Sequence, residues 1–151
     1  MKKLVSFALM LALSAALSAT AFADDDNRSV EVKTHIDPTY TVTIPANTTV
    51  NFNAVDTPFG EIKLTAAQLD PGKTVKVELS ASGKLENQAN TEKTLAYKIM
   101  SGNTEFTSAS YTTANQSTAL TIHIEKDDWN GAFAGDYADT VAFNISYVKQ
   151  Q

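Results

Sequence analysis

The side chains with most chemical scope in this chain are two histidines, a set of aspartates and three aromatics near the C-terminus. His35 and His123 carry imidazoles suited to a metal. A metal centre gathers two or three such ligands, usually at a recognisable spacing, and no second ligand stands at such a spacing from either. Asp127 and Asp128, with Asp136 and Asp139 beyond them, are a better oxygen-rich cluster for a weak calcium site than residues 24–26, which read as a soluble acidic lead. Neither cluster has the Asp-x-Asp-x-Asp-Gly spacing of a calcium loop, so no metal is assigned. With no cysteine, thiol catalysis, thiolate metal sites and covalent haem attachment are excluded. There is no Gly-x-Ser-x-Gly, no His-Glu-x-x-His and no glycine-rich phosphate loop. Nothing singles out a carboxylate pair of the kind a glycosidase uses. The expectation is therefore a protein that is not an enzyme, with no catalytic residue and no cofactor. Trp129, Phe133 and Tyr137 are the candidate binding residues. They would sit on loops as aromatic contacts for a glycan or small ligand. The competing reading is a plug over one end of the fold, with Tyr137 bonded to nearby backbone.

The elements that must position these residues are strands. In SVEVKTHID, Val30, Val32, Thr34 and Ile36 fall on one side and Glu31, Lys33 and His35 on the other, the period of a half-buried strand. Asp37-Pro38 interrupts it, and YTVTIP resumes with β-branched and aromatic residues. Asn47 and its following threonines predict a turn into TVNF. GEIKLTAA alternates Ile62 and Leu64, with LTAAQLD allowing one helical turn. Asp70-Pro-Gly-Lys73 is a turn by mechanism, because Pro71 presets φ and Gly72 tolerates positive φ. TVKVELSAS sets Val75, Val77 and Leu79 on one face, whereas LENQANTEK reads as a polar loop. TLAYKIM and STALTIHIEK follow as strands, with Leu95, Tyr97 and Ile99 inward in the first and Leu120, Ile122 and Ile124 inward in the second. His123 then falls outward, as does His35, and both read as solvated. Val141, Phe143, Ile145 and Tyr147 alternate through the closing strand. The expectation for this last strand is a place inside a sheet, paired on both sides, with the open edge elsewhere. About eight short strands at this spacing predict an antiparallel sandwich or barrel.

The start of the chain sets the compartment. MKK, the apolar run LVSFALMLALSAALSA and the small-x-small triplet Ala21-Phe22-Ala23 predict a bacterial signal peptide over residues 1–23. The run is shorter than the roughly 20 apolar residues of a membrane span. The chain carries 12 basic and 17 acidic residues; losing Lys2 and Lys3 with the leader leaves a formal charge of about −7. An acidic surface repels phosphate backbones, so nucleic acid is not expected as a partner, and no integral membrane segment is expected after cleavage.

The stretches IDPTYTVTIPANTTVNF, GEIKLTAAQLDPGKTVKVELS, LAYKI and AGDYADTVAFNISY resemble those of exported bacterial surface proteins with immunoglobulin-like β-sandwiches, both Gram-positive surface modules and fimbrial subunits. The resemblance covers most of residues 24–151, on motifs that recur widely among sandwiches. It implies a structural or adhesive role and carries over no catalytic residue. The expectation is a protein without the sorting signal or wall-binding segment of anchored members.

Together these readings predict an all-β protein, a single antiparallel immunoglobulin-like β-sandwich of about seven to nine strands over residues 24–151. It would be exported, extracellular or on the cell surface. The first functional expectation is a structural or adhesive surface module. It would work through strand edges, by self-association or with protein partners, and Val30, Val32 and Ile36 mark the strand that would be exchanged or left as an edge. The alternative is a secreted module binding a glycan or small ligand through Trp129, Phe133 and Tyr137.

Overall fold

The computed structural model describes residues 29–150. The signal peptide and the acidic run at residues 24–26 lie outside the described residues. The chain divides into Met1–Thr34 and His35–Gln151. Of the first part, residues 29–34 are described; they carry no regular structure and are exposed throughout.

The second part is antiparallel β-structure with one short helix. Its elements are β1 (Thr39–Thr43), β2 (Asp56–Gln68), β3 (Lys73–Ser80), β4 (Lys84–Asn87), β5 (Asn90–Ala96), β6 (Lys98–Ser101), β7 (Thr104–Glu105), β8 (Ser108–Tyr111), β9 (Ser117–His123), α1 (Lys126–Gly131), β10 (Tyr137–Ala138) and β11 (Ala142–Lys149). Three sheets result, in the orders β1-β2-β9-β6-β7, β11-β3-β8 and β10-β4-β5. The first two face each other across one core. Ile62, Leu64, Leu120, Ile122 and Ile99 come from one sheet, and Val75, Val77 and Tyr111 from the other. Ile62, Leu64, Val75 and Val77 are fully buried. Burial of such a side chain is worth about 1.5–3 kcal/mol each, which fixes the strand register, since a slip of one residue would turn each row to water.

The antiparallel all-β expectation holds, and the inward rows read at β2, β3 and β9 point inward. The DPGK turn also forms: Gly72 has φ of 73°, and Lys73 N–H donates to the Asp70 carbonyl at 3.1 Å. Pro58 sits in β2 where β9 is its only neighbour. The β1 pairing covers Lys63 to Gln68, so the missing N–H breaks no inner ladder.

Several expectations are corrected. Residues 30–36 form no strand: Val30, Val32 and Ile36 are 89, 92 and 59% exposed. Alternation there has no partner strand to act on. TVNF is likewise not a strand. LTAAQLD is no helical turn, because β2 runs to Gln68 and pairs there with Thr39 of β1. LENQANTEK is not a loop but the hairpin β4–β5, whose backbone pairs Leu85 with Leu95. TLAYKIM is not one strand. Its chain leaves the β10-β4-β5 sheet at Ala96 and joins another at Lys98, with buried Tyr97 at the crossing. The described residues hold eleven strands rather than seven to nine, two of them only two residues long. Trp129, expected on a loop, stands in a helix, α1. Finally, β11 is not interior. It pairs with β3 alone and forms an open edge.

Candidate functional site

Two surfaces of the second part hold the candidate chemistry: a cleft at one end, and a seam between two open strand edges.

The cleft has a volume of about 690 Å³ and is lined on one side by residues 48–50 and Phe52 and on the other by Trp129 and residues 132–139, over Leu85 and Leu95. Local sequence explains both walls. Asn53, at φ of 63°, turns the chain after Phe52, and Ala54 N–H closes that turn on the Asn51 carbonyl. Asparagine adopts such a conformation at little cost. On the other wall α1 carries Asp127 and Asp128 in its first turn, where carboxylates favour the positive end of the helix dipole. The loop after it turns at Gly135, with φ of 140° and its backbone pressed against Asn87.

Asn87 is the buried polar anchor of this wall. Its amide donates to the Ala134 carbonyl at 3.2 Å, and its side-chain oxygen accepts from Ala89 N–H at 2.9 Å and Asn90 N–H at 3.2 Å. The Gln88 N–H donates to the Asp136 carbonyl at 2.8 Å. The loop at residues 134–136 is thereby bound to the β4–β5 turn.

The predicted aromatics divide by role. Trp129 is half-buried against the core, and its indole N–H donates to the Ala54 carbonyl at 2.9 Å. Tyr137 is also half-buried; its hydroxyl accepts from Phe133 N–H at 3.1 Å and donates to Phe133 carbonyl oxygen at 2.9 Å. Both line the cleft while also bracing it. Phe133 is 59% exposed, with the Lys93 ammonium 4.5 Å from its ring centre. The sequence reading missed Phe52, which is 76% exposed and meets Trp129 edge-on at 5.6 Å. Its signal was an aromatic between Asn51 and Asn53, two turn-prone residues, rather than at the end of a strand.

At the inner margin Asp139 accepts from the Tyr97 hydroxyl at 2.6 Å, the Ser82 hydroxyl at 2.7 Å and the Thr140 N–H at 2.7 Å. Burial pushes its carboxyl up, but the Tyr97 and Ser82 hydroxyls and backbone N–H groups outweigh this and hold it below the usual range. The Tyr97 phenol is raised in turn, first by burial and then by Asp139. Asp139 is thus a structural acceptor. No group of three or more histidine, aspartate or glutamate residues fit to hold a metal occurs among the described residues. Asp136 and Asp139 both line the cleft, whereas Asp127 and Asp128 do not. His35 is exposed, 3.1 Å from Asp37. His123 is not the solvated side chain expected. It is only 23% exposed and is clasped at 2.7 Å by Asp56 and 3.2 Å by Glu125.

No family model matches this chain, and no curated protein does. It is similar to a chain of a solved chaperone–tip adhesin complex that is vital for synergistic activation of CFA/I fimbriae biogenesis. The identity is 10% and the TM-score 0.42, over 74% of this chain and 42% of that one. The chain thus spans less than half the length of that neighbour, and a likeness of this degree shows neither family nor function.

The seam lies between β1 and β11. Each is the last strand of its sheet, and the two come together where the Tyr40 and Tyr147 rings stand 5.8 Å apart. Phe59 and Phe143 meet further along at 6.2 Å. Tyr147 is fixed from the DPGK turn, where Asp70 N–H donates to its hydroxyl at 2.7 Å. Along this side Tyr40, Ile44 and Ile145 remain 38, 46 and 41% exposed. Of the predicted edge residues Val30, Val32 and Ile36, none belongs to the seam's own strands.

Proposed function

We propose that this protein is a non-catalytic, exported structural or adhesive surface module of immunoglobulin-like type, and that it works through its strand edges. The observation that carries this reading is an unspent strand pattern. Val30, Val32 and Ile36 alternate along residues 30–36, yet all three are exposed and none lies in a strand among the described residues. An extended apolar segment of that kind is what β-augmentation requires: main-chain hydrogen bonds give affinity and alternate side chains give specificity. A flat, apolar open edge is its complement and, left alone, an association hazard. The β1–β11 seam is an open edge with Tyr40, Ile44 and Ile145 uncovered. In this reading residues 30–36 of one molecule pair along the β11 edge of another and their valines and isoleucine enter the seam.

The test is the double substitution Val30→Asp with Val32→Asp, followed by light scattering on a sizing column. Both side chains are about nine-tenths exposed, so the fold and melting temperature stay as in wild type while self-association falls away. A wild-type protein that is monomeric at high concentration, or a double variant that associates as before, defeats the proposal.

A further inference from the structure

The end cleft serves none of the strand-edge chemistry, and its construction points to a ligand of its own. Phe52 and Phe133 hold large apolar rings in water at the two walls, and the backbone or neighbour behind each is anchored. Phe52 is backed by Trp129, whose indole is itself tied to Ala54. Phe133 is gripped at both its backbone N–H and its carbonyl by the Tyr137 hydroxyl, and the loop beyond it is bound by Asn87. Rigid exposed aromatics lose little entropy on binding and serve as anchors. Between them the lining turns polar, with the hydroxyls of Thr48 and Thr49 and the carboxylate of Asp136, all exposed. The volume of about 690 Å³ lies within the usual range of small-molecule sites.

We propose that this cleft binds an uncharged saccharide of one to three rings. A pyranose has an apolar C–H face and a rim of hydroxyls. The sugar would lie against both Phe52 and Phe133, and the rim would donate to Asp136 and to the Thr48 hydroxyl, whose own proton goes to the Ala46 carbonyl at 3.3 Å, and exchange hydrogen bonds with Thr49. Charge selects among sugars. Two carboxylates line the cleft, Asp136 and Asp139, and the full chain carries a formal charge of −5, about −7 without Lys2 and Lys3. The Lys93 ammonium stands 4.5 Å from the Phe133 ring centre, beside the cleft and not in its wall. Acidic sugars are therefore disfavoured, and neutral hexoses and N-acetylhexosamines fit.

The experiment is amide chemical-shift mapping on isotope-labelled protein purified after expression of the full chain. The probes are N-acetylglucosamine trimer, cellotriose, methyl galactoside and, as the anionic control, sialyllactose. The expected result is that at least one neutral probe shifts the amides of residues 48–53 and 132–138 in a saturable way, with sialyllactose giving no comparable shift. Phe52→Ala and Phe133→Ala should each weaken that binding about tenfold or more. The same spectra report whether each variant is folded. Should Phe133→Ala unfold, Phe52→Ala decides alone, since its ring is the more exposed of the two. No saturable shift in these two segments with any neutral probe, preference for sialyllactose, or unchanged affinity in folded Phe52→Ala overturns the proposal. The strand-edge reading is untouched by any of these outcomes, because residues 30–36 and the seam take no part in them.

Discussion

Replacing Trp129 by alanine separates a bracing role from a ligand-contacting one. The indole packs half-buried on the core, meets Phe52 edge-on at 5.6 Å and donates to the Ala54 carbonyl at 2.9 Å. Truncating a buried Trp costs about 3–5 kcal/mol, and partial burial places this site at the low end, about 3 kcal/mol. Within that sum the hydrogen bond accounts for about 1 kcal/mol and the ring pair for about 0.5–1.5 kcal/mol. For a domain of this size 1 kcal/mol moves the melting temperature by about 4 °C, so Trp129→Ala should lower it by about 12 °C. Trp129→Phe keeps most of the packing and loses only the N–H. It should lose about 1 kcal/mol, or about 4 °C. The assay is thermal unfolding followed by circular dichroism in the far ultraviolet, with a urea titration to confirm an unchanged slope and hence a two-state comparison. If Trp129→Ala melts within about 3 °C of wild type, the indole does not brace the wall at residues 52–54. The case for a rigid Phe52 then goes with it.

Two further perturbations test the walls and the outer clasp. Gly135→Ala puts a Cβ about 2.5 Å from the Asn87 side-chain nitrogen at a φ of 140°. It should cost about 2–3 kcal/mol in urea unfolding, and an unchanged midpoint would show that the loop is not seated on Asn87. His123 is held charged chiefly by its hydrogen bond to Asp56, with partial burial opposing and Glu125 adding support, so its pKa in the folded protein lies above the ordinary 6.5. Lys98, its cross-strand neighbour on β6, is the one cation paired opposite it. A raised folded-state pKa gives stability that is complete below about 6.5 and is lost as pH rises through the folded value. The urea midpoint of wild type should therefore exceed that of His123→Gln most below pH about 6.5, and the gap should shrink as pH rises through the folded value. A gap that is constant across that rise would refute the clasp.

Much of the fold was legible because burial in a two-faced sheet imposes a period of two. At β2, β3 and β9 the rows Ile62 and Leu64, Val75 and Val77, and Leu120 and Ile122 are all core. What was not legible depended on partners distant in sequence. LENQANTEK is polar and still pairs, because the β4–β5 hairpin brings only two apolar side chains, Leu85 and Leu95, to the core and the ladder is carried by backbone, which has no composition. The six residues of α1 are too short for a 3.6-residue period to declare itself against turn signals. At the cleft Trp129, Phe133 and Tyr137 were found by type. Their division into brace and exposed ring was set by bonds to Ala54 and within the loop, which no local pattern encodes.

The same limit explains both ends of the described chain, and it bears on function. Residues 30–36 and residues 141–147 carry equivalent alternation in sequence. One segment meets β3 and becomes β11, with Phe143 and Tyr147 half-buried. The other lies in no strand among the described residues, and Val30 and Val32 are exposed. Alternation therefore records that a segment is suited to burial in a sheet, whereas burial itself needs a free ladder within reach. Here the unfilled pattern and the unfilled edge coexist: among the described residues β11 bonds to β3 on one side only, and residues 30–36 form no strand. Each unpaired edge group exposed to water forgoes little, but each one covered by an apolar side chain must find a partner. Exposed Ile145, Ile44 and Tyr40 make that edge costly to leave bare and favourable to cover. A pairing between copies would satisfy both with one set of hydrogen bonds, and it would place the sugar-sized cleft on every repeat of whatever assembly results.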